Sequence, residues 1–411
     1  MGELGYIEEA EALRDDIVAD RRWLHRHPET GFDLPETTAY VASRLREIGC
    51  EPCEIIPGGI VAHVGNVEGP CFMLRADMDA LPLREEADVP FASANGNMHA
   101  CGHDAHTAML LGVARILKNH EAELKGCVKL MFQPDEEGTA PDEVTGSGAM
   151  LAAGVLENPP VEAAAAIHLM TVDYARGRVY TRFGAAFSSV DDVDIEIVGK
   201  GCHGSQPQHG IDPINIAAHV FLALENLIAR EVDPTEQCVL TFGSIHGGSA
   251  ANIIPDSVHM LGTLRTVSEK TRDRMKKRTA AIAERIAEGF GGTAKVLFLR
   301  GVPSVYNDPA LTEELVGYIE GEAIAEVELL EKPLPGSDDM SVISQAVPTS
   351  YFVLGAGSAE EGCAYPVHSP HVVFDESVFP QGSALAAAIA MRWLENRGGG
   401  ERPRGRARLA D

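Results

Sequence analysis

The ten residues Asn97-Met98-His99-Ala100-Cys101-Gly102-His103-Asp104-Ala105-His106 hold three His, a Cys and an Asp at a loop-to-helix junction. Thiolate, imidazole and carboxylate are the donors that bind transition metals, and a following helix N-terminus would help keep Cys101 deprotonated. Cys101 and His103, two apart on an extended segment, can turn toward one centre, with His99 and His106 supporting them from behind. A buried cysteine beside hydrogen-bonded histidines would leave the same trace. A second constellation, Gln133-Pro134-Asp135-Glu136-Glu137-Gly138, follows an apolar run. Its adjacent acids repel one another unless a cation offsets them. One carboxylate can bind metal while its neighbour takes a proton from bound water and passes it to a leaving amine; a solvated acidic turn is the plainer alternative. His168 ends the run Ala163 to Ile167, where a strand delivers one side chain to a sheet edge, and His368 sits within Tyr365 to His371. A lone His is more often a satisfied core or surface residue than a ligand. Taken together, however, a Cys, a Glu and three His are the ligand supply of a two-metal hydrolytic centre.

These groups need elements to carry them. Ile7, Ala10, Leu13, Ile17 and Leu24 recur at helical spacing, which predicts one amphipathic helix stopped by Pro28, and a second helix runs from Pro35 to Ile48 with Gly49 as its stop. Ile60 to Val64, Cys71 to Leu74 and Val128 to Phe132 read as buried strands, with a helix from Asp104 to Lys118 between the last two. Alternating strands and helices predict an α/β sheet with functional loops at strand ends. From Val190 the texture changes: Val193, Ile195 and Ile197 alternate with Asp192, Asp194 and Glu196, the pattern of a half-exposed antiparallel strand. The β-α-β-β-α-β order that follows to Leu299 is ferredoxin-like. The α/β texture resumes after Val302 and closes with an Ala-rich helix from Ser377 to Glu395. The expected organisation is therefore a discontinuous domain of residues 1–187 and 302–396, an insertion of residues 188–301, and a disordered Gly- and Arg-rich tail, 397–411.

Length and composition limit what such a protein can be. At 411 residues it has enough chain for two or three domains, and 45% hydrophobic with 23% charged residues is ordinary for a globular protein. Asp plus Glu outnumber Lys plus Arg by 61 to 34, a formal net charge of -27, which repels phosphate backbones and anionic lipid surfaces. Neither nucleic acid nor membrane is expected as a partner, and an anionic substrate would need a locally positive site. No apolar run is long enough to span a bilayer and the N-terminus is acidic, so the expected compartment is the cytoplasm. Eight cysteines are too sparse for a disulfide scaffold. Cys50-Glu51-Pro52-Cys53 has no second pair nearby, and Gly247-Gly248-Ser249-Ala250 reads as a turn rather than a phosphate loop.

The chain resembles the M20 metallopeptidases, and within them the amidohydrolases of N-acyl amino acids, such as hippurate and auxin-conjugate hydrolases. The resemblance spans about residues 10–395. It rests on Leu74 to Pro82, Met98 to Ala108, Phe132 to Gly138, Gly199 to Gly204, Ala251 to Asp256, Gly262 to Arg265 and Gly336 to Asp339. It implies a zinc-exopeptidase-like catalytic domain with an inserted ferredoxin-like α+β lid and dimerisation domain. It also implies two divalent ions per subunit, Mn²⁺ or Zn²⁺ with Co²⁺ or Ni²⁺ as further candidates, held by Cys101, His103, Glu137, His168 and His368. Glu136 becomes the general base, and Asp77 and Asp79 orienting residues. His203 becomes a lid histidine that crosses a homodimer interface to the carbonyl oxygen, with Asn252 and Arg265 as helpers and Arg265 on the substrate carboxylate. The expected partner is a small N-acyl amino acid. Cys202 and Asp135 depart from the family's usual Gly and Ala. Three rivals remain: a dipeptidase or carboxypeptidase of the same class, a thiol hydrolase using Cys101 with His103, and a non-enzymatic binding protein.

Overall fold

The computed structural model describes residues 5–138 and 144–397. In chain order its main elements are α1 (Tyr6–Ala12), α2 (Arg14–Arg26), α3 (Pro35–Ile48), β1 (Cys53–Ile56), β2 (Gly59–Gly65), β3 (Cys71–Asp77), α4 (His103–Asn119), β4 (Cys127–Gln133), α5 (Gly146–Ala152), β5 (Val161–Val172) and β6 (Val179–Thr181). There follow β7 (Val190–Val198), α6 (Pro213–Glu231), β8 (Cys238–His246), β9 (Ser257–Thr266), α7 (Glu269–Gly289) and β10 (Thr293–Val302). The chain ends with α8 (Pro309–Gly321), β11 (Val327–Leu329), α9 (Met340–Ser344), β12 (Thr349–Ser358) and α10 (Phe379–Arg397).

The large sheet has eight strands in the order β1-β2-β4-β3-β5-β12-β6-β11. Its centre, β4-β3-β5-β12, is wholly parallel, while β1, β2 and β6 pair antiparallel toward the edges. Strands buried on both faces need apolar residues at every position, and β3 shows this: Phe72 and Leu74 enter the core under α4 and α10, whereas Cys71 and Met73 enter the opposite core with Met150 and Met340. The sheet is thus a filling between two helical layers, and the carboxyl ends of its parallel strands open on one side.

Residues 190–302 form a separate four-stranded antiparallel sheet in the order β8-β9-β7-β10, with α6 and α7 on one face. The alternation in β7 is as the sequence predicts: Val193, Ile195 and Ile197 are buried and Asp192, Asp194 and Glu196 are not. That order, with its two helices on one side, is the ferredoxin-like arrangement.

Two local expectations need correction. The opening helix is two, because the chain tightens at Leu13, whose N–H bonds back to Ala10 before α2 starts. The last helix runs two residues further, since the Arg397 guanidinium pairs with Glu314 on α8 (2.6 Å) and lies over Trp393. The remainder of the expected tail, 398–411, lies outside the described residues. Among the described residues no helix is long and apolar enough to cross a membrane.

Lys129 fixes the entry to β5. Its buried ammonium donates to the carbonyls of Val155 (2.8 Å), Glu157 (2.7 Å) and Pro159 (3.0 Å), which terminate the turn leading into that strand. Lys129→Met would leave three carbonyls without a donor, and buried unpaired polar groups cost about 1–3 kcal/mol. A fall of at least about 2 kcal/mol in denaturant unfolding is expected; an unchanged midpoint would show that water replaces the ammonium at no cost.

Candidate metal centre

The side chains singled out by the sequence converge at the carboxyl ends of the parallel strands. Gly102 separates Cys101 from His103 and has φ +86°, and a Cβ there would come 3.1 Å from the Phe374 ring, so a glycine is required where the loop turns into α4. That turn aims both neighbours inward. Cys101 Sγ lies 3.4 Å from His168 Nε2 and 3.3 Å from His368 Nε2, and His368 Nε2 is 3.2 Å from Glu137 Oε1. His103 Nε2 stands 3.8 Å from Glu136 Oε2 and 4.0 Å from Glu137 Oε1. His368 has φ +65°, a left-handed conformation disfavoured for a side chain with a Cβ, held by its N–H to the Ala100 carbonyl. With 53% of its side chain exposed, it marks the solvent side of the cluster.

The hydrogen bonds behind these groups set which nitrogen faces inward. His103 Nδ1 donates to the Asp79 carbonyl (2.9 Å) and His168 Nδ1 to the Leu169 carbonyl (2.7 Å), which turns both Nε2 lone pairs toward Cys101 and the glutamates. His106 is used on both sides: the Leu169 N–H donates to its Nε2 (2.9 Å), so Nδ1 carries the proton and donates to Asp77 (2.7 Å). The Asp79 carboxylate accepts the N–H groups of Glu136 (3.1 Å) and Glu137 (3.2 Å), so it fixes the loop that carries both glutamates. His99 does not support the cluster as expected. It is buried toward His25, with no hydrogen-bond partner for either ring nitrogen among the described residues, because His25 itself is turned to Asp104 (2.7 Å) and Glu85 (3.0 Å).

The arrangement fits metal ions on two grounds. Buried polar atoms are normally paired, yet among the described residues His103 Nε2 is buried without a hydrogen-bond partner and faces the middle of the cluster, and Glu137 Oε1 beside it meets only the imidazoles of His103 and His368. Moreover, Cys101, His103 and His168 bring donor atoms within 4.8 Å of one another, as do Cys101, Glu137 and His368, and His103, Glu136 and Glu137. Thiolate, imidazole and carboxylate in overlapping groups suit a pair of divalent ions sharing ligands.

Proton affinities in the metal-free chain follow from burial and charge. Burial and the Glu137 carboxylate hold the Cys101 thiol well above its usual value. Burial lowers His103, but Asp77, Cys101 and the hydrogen bond to Asp79 together outweigh it and the imidazole ends well above the ordinary range. Burial, then the Asp338 and Glu137 carboxylates, push Glu136 well above the carboxylate range. Burial also raises Glu137, but the His368 hydrogen bond and the His103 charge carry it below its usual value.

Arg75, Gln133, Asp338 and Asp339 lie within motifs of the family resemblance, but residue type and spacing alone give them no role. The buried Arg75 guanidinium reaches Asp77 (2.7 Å), Asp339 (2.9 Å), Asp338 (3.3 Å) and Gln133 (2.7 Å) directly behind Glu136. An Arg inside an apolar strand was the available signal, since such a charge must find partners.

The lid residues divide. Arg265 lines a cavity of about 250 Å³ with Glu136, Glu137, Val190, Asp192 and Asp338, and no ion pair or hydrogen bond engages its guanidinium among the described residues. His203 and Asn252 are elsewhere: His203 pairs with Ile253 beside the start of β9, and the Gly204 N–H donates to the Asn252 carbonyl (2.8 Å). Arg265 is near the other end of that ten-residue strand, roughly 25 Å away at the rise of a β-strand. Within one chain His203 and Asn252 do not reach the cluster. Cys202, next to His203, is a free thiol.

The sequence pattern defining peptidase family M20/M25/M40 matches residues 73–392. An IAA-amino acid hydrolase of Arabidopsis thaliana is 38% identical over 387 residues, covering 92% of this chain and 86% of that protein. A thermostable carboxypeptidase of Saccharolobus solfataricus is 36% identical over 387 residues, covering 93% and 96%. The crystal structure of a Bacillus subtilis protein described as a dinuclear metal-binding M20-family peptidase superposes with TM-score 0.79 at 31% identity, over 94% of this chain and 99% of that one.

Metal uptake should be linked to pH with a definite sign. The protons held on Cys101 and His103 must leave before either atom can ligate; affinity therefore rises as pH rises and falls on acidification. Calorimetric titration of stripped protein with Zn²⁺ in buffers of different ionisation heat should show net proton release. His103→Ala and Glu137→Ala should each bind less metal; full stoichiometry in both would remove them from the ligand set.

Proposed function

Because the chain belongs to peptidase family M20/M25/M40, we propose that it is a metal-dependent amidohydrolase that cleaves N-acyl amino acids to a carboxylic acid and a free amino acid. The observation that carries this reading is Arg265, a guanidinium without a partner among the described residues, on the wall of the cavity that holds Glu136. In a protein of net charge -27, an unpaired Arg beside a hydrolytic centre is the recognition element for a carboxylate, which its planar fork can take in two hydrogen bonds.

We assign Cys101, His103, Glu137, His168 and His368 to hold two divalent ions, zinc or manganese, with cobalt or nickel compatible with the same donors. When bound, such ions polarise the amide carbonyl and lower the pKa of water. Glu136 then has the two proton steps. Its buried carboxylate takes a proton from the attacking water and returns it to the leaving nitrogen. Arg265 holds the carboxylate of the amino-acid half so that the amide lies over Glu136. His203, too far from Glu136 in its own chain, acts on the carbonyl oxygen from a partner subunit's lid, with Asn252 beside it; the active form is a homodimer or a larger assembly of such pairs. Residues 188–301 are the lid and dimerisation unit, and 1–187 with 302–396 the catalytic unit. A cytoplasmic location agrees with eight free cysteines.

A carboxypeptidase acting on peptides is the second reading, favoured by the Saccharolobus relative; it too leaves an amino acid whose carboxylate suits Arg265. A thiol mechanism is disfavoured, since the buried Cys101 is held as the unreactive thiol.

Glu136→Gln should retain metal while kcat falls by roughly 10²- to 10⁴-fold; normal turnover at full metal content would sink the base assignment. Arg265→Ala should reduce kcat/KM for N-acyl amino acids by roughly 10-fold to 150-fold and leave the slow hydrolysis of amides lacking the carboxylate little changed. Mixing His203→Ala with Glu136→Gln chains should restore activity, because one site of each hybrid pairs an intact Glu136 with an intact partner His203. Inactive hybrids from two folded, exchanging parents would refute action across the interface.

A further inference from the structure

On the β7 strand, alternation sends Asp191 and Asp192 to opposite faces. Asp191 points to the helices and is neutralised there by Arg272 (2.6 and 2.9 Å) and Lys276 (2.8 Å). Asp192 points to the open face, onto the cavity that contains Glu136 and Arg265. Its cross-strand neighbours are Thr263 on β9 and Leu299 on β10, so no cation stands opposite it. Arg265 is two residues beyond Thr263 on the same face, a diagonal neighbour of Asp192 at roughly 7–8 Å.

Among the described residues Asp192 and Arg265 form no ion pair with each other or with any other group. Two opposite charges on one wall, each half-buried and each without an internal partner, would normally collapse together or be neutralised separately. The other carboxylates of that wall have basic groups beside them: Asp338 and Asp339 pair with Arg75, and Glu137 and Glu136 face the cluster imidazoles of His368 and His103. Asp192 is the exception.

We propose that Asp192 is a specificity residue that binds a cationic side chain on the amino-acid half of the substrate, so that the preferred substrates are N-acyl derivatives of basic amino acids. This rests on the amidohydrolase reading and on Arg265 holding the α-carboxylate. With the α-nitrogen acylated and therefore uncharged, the only cation such a substrate can offer is at the end of its side chain, as in lysine, ornithine or arginine. A ligand carrying both charges satisfies Arg265 and Asp192 at once, whereas an acidic side chain would meet a wall dominated by carboxylates and be rejected.

The test compares kcat/KM of the metal-loaded enzyme for the Nα-acetyl and Nα-benzoyl derivatives of L-lysine, L-norleucine and L-glutamate. The lysine derivatives are expected to exceed the norleucine derivatives by roughly 10-fold or more, with glutamate poorest. Asp192→Asn should abolish the lysine preference, and Asp192→Lys should shift it toward glutamate. Free L-lysine should also inhibit the wild-type enzyme at lower concentration than L-norleucine, a comparison that needs no variant to fold. Equal turnover of lysine and norleucine derivatives by wild type, or a lysine preference that survives in Asp192→Asn, overturns this inference and leaves the amidohydrolase reading standing. No turnover of any N-acyl amino acid overturns that reading and the inference together.

Discussion

A single buried guanidinium sets the geometry on which the catalytic side depends. Arg75 lies within β3 and is met by three aspartates and a glutamine from β3, β4 and the turn before α9. Each partner is engaged again: Asp339 by Gln133 (2.7 Å) and the Ser147 N–H (2.8 Å), Asp338 by the Tyr351 hydroxyl (2.5 Å) and the Met340 N–H (2.7 Å). A buried charge that loses its partner is strongly destabilising, so the strand ends cannot drift apart without exposing one. Lysine would not substitute, because an ammonium lacks the planar fork that spans several acceptors. Even so, negative charge exceeds positive here, and burial together with Asp338 leaves Asp339 pushed up to about 6.

From this anchor the order passes outward. Asp77 binds Arg75 on one oxygen and His106 on the other, and His106 receives the Leu169 N–H of β5, the strand that delivers His168. Asp79, two residues on, holds the backbone of Glu136 and Glu137. The two glutamates are neighbours in sequence but differ in surroundings. Glu137 faces two imidazoles, and Glu136 faces the Arg75 aspartates. Burial acts on both, and the nearby charges separate them, one held below its usual proton affinity and the other above it. Adjacent carboxylates with divided environments are how an acid–base group and a ligand can share one loop.

The lid contributes by the opposite principle. Where the Arg75 cluster gathers its aspartates around one guanidinium, the open face of the lid sheet leaves Arg265 and Asp192 without partners among the described residues, on the wall of the cavity that holds Glu136. Under the proposed function, the cost of leaving charges unpaired at a cavity wall is offset by the substrate that binds there. The length of β9 separates Arg265 from His203, so one lid faces two directions.

Much of this was legible in the amino-acid order because it depends on local repetition. Strand and helix periods, the β-α-β-β-α-β order, and the dense Cys101–His106 and Glu136–Glu137 motifs are near-neighbour patterns, and they led to the α/β fold with its ferredoxin-like insertion and to the residues that do converge. The break at Leu13 and the silence of His99 were not legible, since each turns on which nearby hydrogen bond wins. Nor could sequence alone pair Arg75 with Asp338 and Asp339, more than 260 positions away, or distinguish Asp191, spent on Arg272, from Asp192, left facing a cavity. Residue type and spacing determined which chemistry the chain could perform. Only tertiary structure decided which charges are neutralised and which remain free, because that depends on distances between side chains that adjacency in the chain does not constrain.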